Sequence, residues 1–509
     1  MLKIRNYYIS TFFWSTTSKI LNAIFGFISV PILLDEFGKS DYGILSIAMA
    51  CNAYMYVLDL GMNVGAVKFY SQWKTEGKLD LLDRVVRTNI TFYLVIALIN
   101  VLLLLGCIFW GSSVFSISAE KVSLLNSCFF ILIIFSALNW VGAVFYQLLV
   151  ANEMLGFAMK VQCAQVLLKA VLIVVVFYTD ISMLAYFFCF TLVVSIPAIP
   201  YAVECRKRSL IKSLVPAFHF SDLKVVLLYS LSIFALTLLQ VTAVQSRPII
   251  LGIFSGEGDL AVADFRIVEL IPAFLIVICG MFSSIFLPRT SAIVARGDQQ
   301  ELIDFANKWT LRTSLLANLL CVPFILCAAE VLYAYVGPDY SQLAVWLAIW
   351  CFTVILQIHT TPGNAIVLAH GKTKPLVVVT FFACMLSIGV NIVLVPYLGL
   401  GAAVLSYLLY VLIIIAQYYL YYYTNILHLH SLKMFKNFII PTLLALLSLA
   451  VCIALGRYCE EFLSYSTRWD TIRVCILKVG IWVWFYIFTL RITGVVKSLR
   501  GITGIIKKN

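Results

Sequence analysis

The sequence predicts an all-α polytopic membrane protein. It is read as fourteen transmembrane helices: two pseudo-symmetric six-helix bundles and two additional C-terminal helices, with both termini cytoplasmic. Three observations lead there: an apolar composition along the whole chain, fourteen apolar segments of spanning length, and a one-sided distribution of Lys and Arg between the loops. Of 509 residues, 62% are hydrophobic and 12% charged, and the mean hydropathy is +1.01. Soluble domains are about 45–50% apolar and about 25% charged. A soluble enzyme, a secreted domain and a disordered chain are therefore excluded. A span needs about 20 apolar residues, so a chain of this length and composition is almost entirely membrane.

The apolar segments run over 9–34, 42–64, 88–110, 123–150, 161–179, 181–203, 225–254, 260–287, 310–336, 341–369, 375–396, 399–424, 437–456 and 471–491. They are numbered here as spans 1–14. Asp180 marks the turn between spans 5 and 6, and Pro396-Tyr397-Leu398-Gly399 the turn between spans 11 and 12. Lys3 and Arg5 precede a long apolar stretch carrying Lys19 and no small-residue cleavage site, so it reads as a retained first span. With the N-terminus inside, 26 of the 36 Lys and Arg fall on the cytoplasmic side and five on the other (Lys39, Lys121, Arg457, Arg468, Arg473). This is the positive-inside pattern, and one miscounted span would destroy it. It also explains the net charge of +12 without nucleic acid. The outer loops are short and acidic, with Asp35, Glu36, Asp41, Glu257, Asp259, Glu330 and Asp339. The fourteen cysteines are scattered with no CxxC, and only Cys205 and Cys459 fall outside apolar segments, on opposite faces.

The organisation follows: a first bundle over 1–205, a basic linker over 206–224, a second bundle over 225–425, spans 13–14 over 426–491, and a basic amphipathic tail over 492–509 on the inner surface. An internal repeat supports the two bundles. ISVPILLDEFGKSDYGILS from Ile28 parallels SRPIILGIFSGEGDLAVAD from Ser246, matching Pro31 with Pro248. Further on, SQWKTEGKLDLLDR from Ser71 parallels SAIVARGDQQELIDF from Ser291, matching Gly77 with Gly297. Both halves start on the cytoplasmic side, which is the parallel repeat suited to alternating access.

Charges inside spans are expensive and mark cavities or partners. Lys19 lies in span 1, Asp59 in span 2, Lys169 in span 5, Arg247 in span 7, Asp264, Arg266 and Glu269 in span 8, and Lys478 in span 14. Arg247, Arg266 and Glu269 come out at comparable depth, about 10–15 Å in from the outer loop at 1.5 Å per residue. Arg266 and Glu269, three apart, share a helix face. Asp59 and Lys169 lie near span ends, where snorkelling is cheap. The surplus of cations suits an anionic substrate such as a phosphate or diphosphate, with Lys19, Arg247 and Arg266 as binding residues. His359, in QIHTTPGNA, sits where Pro362 and Gly363 interrupt span 10, either lining a path or packing at a kink. The Tyr-rich run YYLYYY over 418–423 reads as an interfacial belt. No Walker A, HExxH or GxSxG occurs, and no loop is long enough for the soluble face of a membrane glycosyltransferase.

The run from Pro31, with FGKSDYGILS and LDLGMNVGAVKFYS, and its counterpart QSRPIILGIF with LPRTSAIVARGD, resembles the polysaccharide flippase (Wzx-like, PST) branch of the multidrug/oligosaccharidyl-lipid/polysaccharide exporter superfamily. The Gly38…Asp41-Tyr42-Gly43 element and Asp59-Leu60-Gly61 are its most specific parts. The resemblance spans essentially the whole chain. It implies a V-shaped pair of bundles in a bacterial inner membrane, translocating polyprenyl-diphosphate-linked O-antigen or capsule repeat units to the periplasmic leaflet. It implies no cofactor and coupling to protons or sodium, for which Asp59, Asp264 and Glu269 are the candidates. It further implies a lipid groove near Lys478, and a glycan polymerase and chain-length regulator as partners. Where the family commonly carries an acidic residue in span 7, this chain has Arg247. The rival readings are a cation-coupled drug exporter of the same superfamily, a peptidoglycan-precursor flippase, and a non-transporting scaffold for glycan synthesis.

Overall fold

A computed structural model describes residues 2–283, 286–372, 374–458 and 467–495. All regular structure among them is helical. The first two apolar segments form one path, α1 (Leu2–Met55), broken at Gly38, whose φ of 79° and ψ of 165° are not helical. A straight helix of this length would run about 80 Å, far beyond a hydrocarbon core of about 30 Å. The Gly38 break divides it into two stretches, and only a residue without Cβ adopts that backbone cheaply.

After a 3-10 turn over Tyr56–Asp59, two successive residues turn left-handed, Leu60 (φ 53°) and Gly61 (φ 72°). They start α2 (Met62–Thr75), followed by α3 (Leu79–Val114), α4 (Ala119–Ala151), α5 (Leu155–Tyr178), α6 (Met183–Ser195) and α7 (Ala198–Lys207). The stretch 65–87, read from sequence as a loop, is thus mostly helix. Tyr70 and Trp73 of α2 are buried in a core shared with Tyr93 of α3 and with Trp140 and Leu148 of α4. Their apolar bulk explains why this polar-looking segment folds inward.

α8 (Phe220–Phe254), α9 (Gly258–Ser283), the short amphipathic α10 (Phe286–Arg296), α11 (Gln299–Leu326) and α12 (Ala328–Val336) follow. A 3-10 turn over Pro338–Leu343 leads into α13 (Ala344–Ile358) and α14 (Thr361–His370). Then come α15 (Lys374–Leu398), α16 (Leu400–Gln417), a π-helix over Tyr418–Ile426, α17 (Ser431–Tyr458) and α18 (Arg468–Ile492). Cys459 and the amphipathic tail beyond residue 495 lie outside the described residues.

Eleven helical stretches among the described residues are long and apolar enough to cross a membrane. The difference from fourteen is local. Spans 1 and 2 are one path, Phe13–Asp59, and the strongly apolar part of α8 is the shorter Leu238–Phe254. α9 carries Asp259, Asp264, Arg266 and Glu269 in its N-terminal half.

Two compact units emerge. One comprises Met1–Ala263 with Val395–Gly399, the other Asp264–Leu394 with Leu400–Asn509. The repeat-matched glycines share a local geometry. Gly77 (φ 72°) closes α2 and Gly297 (φ 70°) closes α10, each just before the helix that follows. In both, the glycine N–H donates to a carbonyl of the last turn, Lys74 (3.2 Å) or Val294 (3.1 Å). This is a glycine helix stop, and Gly371 (φ 68°) ends α14 in the same way, its N–H donating to the Leu368 carbonyl at 3.1 Å.

In the first unit the segment after α7, read as a linker, is strapped along α3. The Lys212 N–H donates to Asp83 Oδ1 (2.8 Å) and its Nζ to Asp80 Oδ1 (2.6 Å). Arg87 Nε–H donates to the Val215 carbonyl (2.8 Å), Thr91 Oγ1–H to the Ala217 carbonyl (2.6 Å), and the His219 N–H to Thr88 Oγ1 (3.1 Å). Asp80, Asp83, Arg87, Thr88 and Thr91 recur at helical spacing and form a polar stripe that satisfies an extended backbone.

Candidate functional site

Asp59 ends the 3-10 turn and accepts the Asn63 N–H at 3.2 Å, so it caps α2. Its other oxygen accepts from the Tyr93 hydroxyl. Behind Tyr93 lies a buried chain. Gln147 Nε2 donates to Tyr93 Oη (2.7 Å), and Asn89 Nδ2 reaches both Gln147 Oε1 (3.0 Å) and Tyr70 Oη (2.8 Å). Asn89, Gln147 and Tyr93 are fully buried. This network ties α2, α3 and α4 to the Asp59-Leu60-Gly61 turn. Sequence reading named Asp59 but missed its partners. The available signal was Asn89 and Gln147 as amides within apolar spans.

The other specific sequence element meets the start of α9. Gly43 of α1 lies so close that a Cβ there would stand 1.9 Å from the Asp259 carbonyl oxygen. The Ser40 hydroxyl donates to the Asp259 carboxylate, and Asp41 pairs with Lys121 of α4. The Ser116 N–H donates to the Gly252 carbonyl at 2.8 Å, and the Gly258 N–H to the Ser116 carbonyl at 2.6 Å. Within the Gly38–Gly43 element, Gly43 and Ser40 therefore make the contact with the start of α9, Gly43 at the point of closest approach.

Of the cations predicted to bind substrate, Lys19 is exposed on α1 and has no ion-pair partner among the described residues. Arg247 is buried at 3% exposure, and its Nε–H donates to the Val244 carbonyl at 3.3 Å. Both belong to the first unit. Arg266, in the second, pairs with Glu269 at 2.5 Å, as their spacing predicted, and lies 5.9 Å from the Phe265 ring. Asp264 begins the second unit on the same helix. Lys169 sits over the rings of Phe190 (5.5 Å) and Phe25 (5.9 Å), a packing place.

Lys478 of α18 pairs with Glu330 of α12. Glu330, read as a loop acid, is instead 8% exposed in the first turn of α12, where the helix dipole favours a carboxylate. The pair stands in the wall of a cavity of about 510 Å³ lined also by Ala328, Ala348, Cys452 and Gly456. In the first unit an apolar groove of about 470 Å³ runs between α1 and α5, lined by Phe25, Ile28, Ile32, Leu167 and Phe177.

Helices that repeatedly have the length and apolarity to cross a bilayer, with buried polar networks and ion pairs between them, define a multi-pass integral membrane protein. The chain belongs to the polysaccharide biosynthesis protein family, whose profile matches residues 9–294. It is 22% identical over 401 residues to the uncharacterized membrane protein EpsK of Bacillus subtilis (strain 168), covering 74% of each chain. Among solved structures it is similar to the lipid II flippase MurJ in its inward closed conformation. The TM-score is 0.69 at 14% identity, over 95% of this chain and 98% of that one. It is also similar to the inward-facing conformation of a multidrug resistance MATE family transporter of the MOP superfamily. There the TM-score is 0.62 at 13% identity, over 79% of this chain and 92% of that one. At these identities the likeness is one of fold.

Proposed function

We propose that the protein is a flippase. It moves polyprenyl-diphosphate-linked oligosaccharide repeat units, of O-antigen or capsule type, from the cytoplasmic to the periplasmic leaflet of a bacterial inner membrane by alternating access. The observation that carries this reading is the extent of the fold likeness within a polysaccharide biosynthesis family. A match over 95% of the chain to a lipid II flippase leaves too few residues uncovered to omit α17 and α18, whereas the multidrug transporter matches 79%.

The chemistry of such a cargo explains the residues. A diphosphate-bearing head needs fixed cations, and Lys19, Arg247 and Arg266 take that role, Lys19 as the exposed one. A polyprenyl tail needs an apolar path, for which α17, α18 and the cavity beside Lys478 are proposed. Glu269 serves as the counter-charge that Arg266 exchanges for phosphate, with Asp264 beside it. Asp59 acts through its cap and network. Both termini lie in the cytoplasm, and a glycan polymerase and chain-length regulator consume the product.

A second reading, flipping of a peptidoglycan lipid precursor, is favoured by the same likeness to the lipid II flippase. The test is the leaflet sidedness of lipid-linked oligosaccharide in cells depleted of the protein. Cytoplasmic accumulation is expected. Unchanged sidedness, together with rescue of a strain lacking its lipid II flippase, selects the second reading.

A further inference from the structure

Asn52 of α1, Asn100 of α3, and Ser136 and Asn139 of α4 lie near the middles of the apolar segments 42–64, 88–110 and 123–150. Polar side chains at that depth are costly and mark a partner or a cavity. The fold brings the four together, with Tyr56 and Trp140, around a recess of about 10 Å³. That is room for about one oxygen-sized group.

Helix-to-helix adhesion explains only part of this cluster. Asn100 is 2% exposed, and its Nδ2 donates to Ser136 Oγ at 3.0 Å. The Ser136 hydroxyl in turn donates to the Ala97 carbonyl at 3.5 Å. Asn100 Oδ1 is buried in the wall of the recess and makes no hydrogen bond within the protein. The half-buried carboxamides of Asn52 and Asn139, which line the same recess, make none among the described residues. Amides that glued helices together would bond across them.

Tyr56 stands beside these amides with 55% of its surface open, yet it is fixed in place. Its ring lies 5.4 Å from that of Trp140, which stacks on Tyr93 at 6.1 Å, and Tyr93 donates to Asp59. The Asp59 network thus holds an open aromatic ring next to three carboxamides. None of the six lining residues is charged. A phosphate would call for cations and a metal ion for carboxylates. A neutral polyol calls for what is present. Each carboxamide offers donors and an acceptor to adjacent hydroxyls, and the aromatic ring offers a surface to the apolar side of a sugar.

We propose that Asn52, Tyr56, Asn100 and Asn139 form a subsite for one neutral sugar residue of the transported glycan. The sugar ring lies against Tyr56. One of its hydroxyls enters the recess and donates to Asn100 Oδ1, and the carboxamides of Asn52 and Asn139 bond the neighbouring hydroxyls. The proposal rests on the transport reading above and adds to it a place for the glycan separate from the cations assigned to the diphosphate.

The test measures binding to purified protein in nanodiscs of two probes, polyprenyl diphosphate and the same lipid carrying a hexose-containing oligosaccharide. The wild type should bind the glycosylated lipid about tenfold more tightly, the increment of a hydrogen bond and a ring contact. The double variant Asn52→Ala, Asn139→Ala should lose that increment and keep its affinity for the sugar-free lipid. Tyr56→Ala should lose it as well, and Tyr56→Phe, which restores the ring, should keep it. Should one of these variants misfold, the other decides. A wild type that binds both lipids equally, or an increment that survives the substitutions, overturns the proposal. A wild type that binds neither lipid defeats the transport reading instead. Saturation-transfer NMR with free methyl hexosides and N-acetylhexosaminides, in a detergent without sugar, then decides the subsite. Signals that vanish in Asn52→Ala, Asn139→Ala support it, and signals absent from the wild type or equal in both proteins refute it.

Discussion

The contact between Gly43 and Asp259 yields a prediction of sign as well as size. In Gly43→Ala the new Cβ would lie 1.9 Å from the Asp259 carbonyl oxygen, 2.6 Å from its carbonyl carbon and 3.1 Å from its Cα. All three are backbone atoms, so no rotamer change relieves the clash. Carbon–carbon contacts are comfortable at about 3.5–4.0 Å, so α1 and the first turn of α9 must part by about 1.5 Å. That overpacking costs about 2 kcal/mol. Parting also breaks the Ser40–Asp259 hydrogen bond, worth about 1 kcal/mol. Alanine's better helix propensity returns up to about 1 kcal/mol, leaving a net loss of about 2 kcal/mol. Gly389 of α15 is the control, because a Cβ there meets nothing within 4 Å. Gly389→Ala should be neutral or stabilising by up to about 1 kcal/mol. The assay is the apparent unfolding temperature of both variants in detergent at one scan rate, a kinetic comparison suited to irreversible unfolding. If Gly43→Ala proves as stable as Gly389→Ala, the close approach of α1 to Asp259 is wrong.

Other outcomes follow from the same geometry. Gln147→Leu removes the link between Tyr93 and Asn89 and should destabilise by about 1–3 kcal/mol, read as a lower detergent unfolding temperature; an unchanged value would contradict the network. Glu330→Gln strands Lys478 and should cost about 3 kcal/mol. The double variant Glu330→Gln, Lys478→Met should recover most of that loss, and additive losses would show that the two groups do not interact. A Lys19→Ala, Arg247→Ala, Arg266→Ala variant should lose flipping at normal abundance, and normal flipping would remove these cations from the head-group site. In the strap, the hydrogen bond to Asp80 raises the Lys212 ammonium above the usual lysine range. A raised cation contributes fully below its unfolded value and loses its contribution as pH rises through the folded one. Protease nicking between residues 208 and 219 should therefore stay constant through neutral pH and increase only in alkali.

The sequence was most legible where its signal is one-dimensional. Apolar runs and loop charges pointed to a polytopic helical protein, and the Arg266–Glu269 pair followed from helical spacing alone. Gly77 and Gly297, matched as a motif, both end a helix in the left-handed region, a geometry that the unmatched Gly371 shares. What escaped were relations between segments distant in the chain. Residues 65–87 and 206–224 looked like loops because their polar residues are frequent. The aromatic residues of α2 bury it, and the stripe on α3 holds the strap. The tyrosine run over 418–423 was read as an interfacial belt, yet Tyr422 and Tyr423 are fully buried.

Composition and periodicity determine that this chain must satisfy its backbone inside helices, because a bilayer offers no water to do so. They also determine which residues are costly there. Whether each costly residue is paired, stacked or left open depends on which helix faces it. Lys478 pairing with Glu330 and His359 stacking on Phe438 are outcomes that tertiary packing alone decided, because partners separated by many residues carry no mark of each other in the sequence.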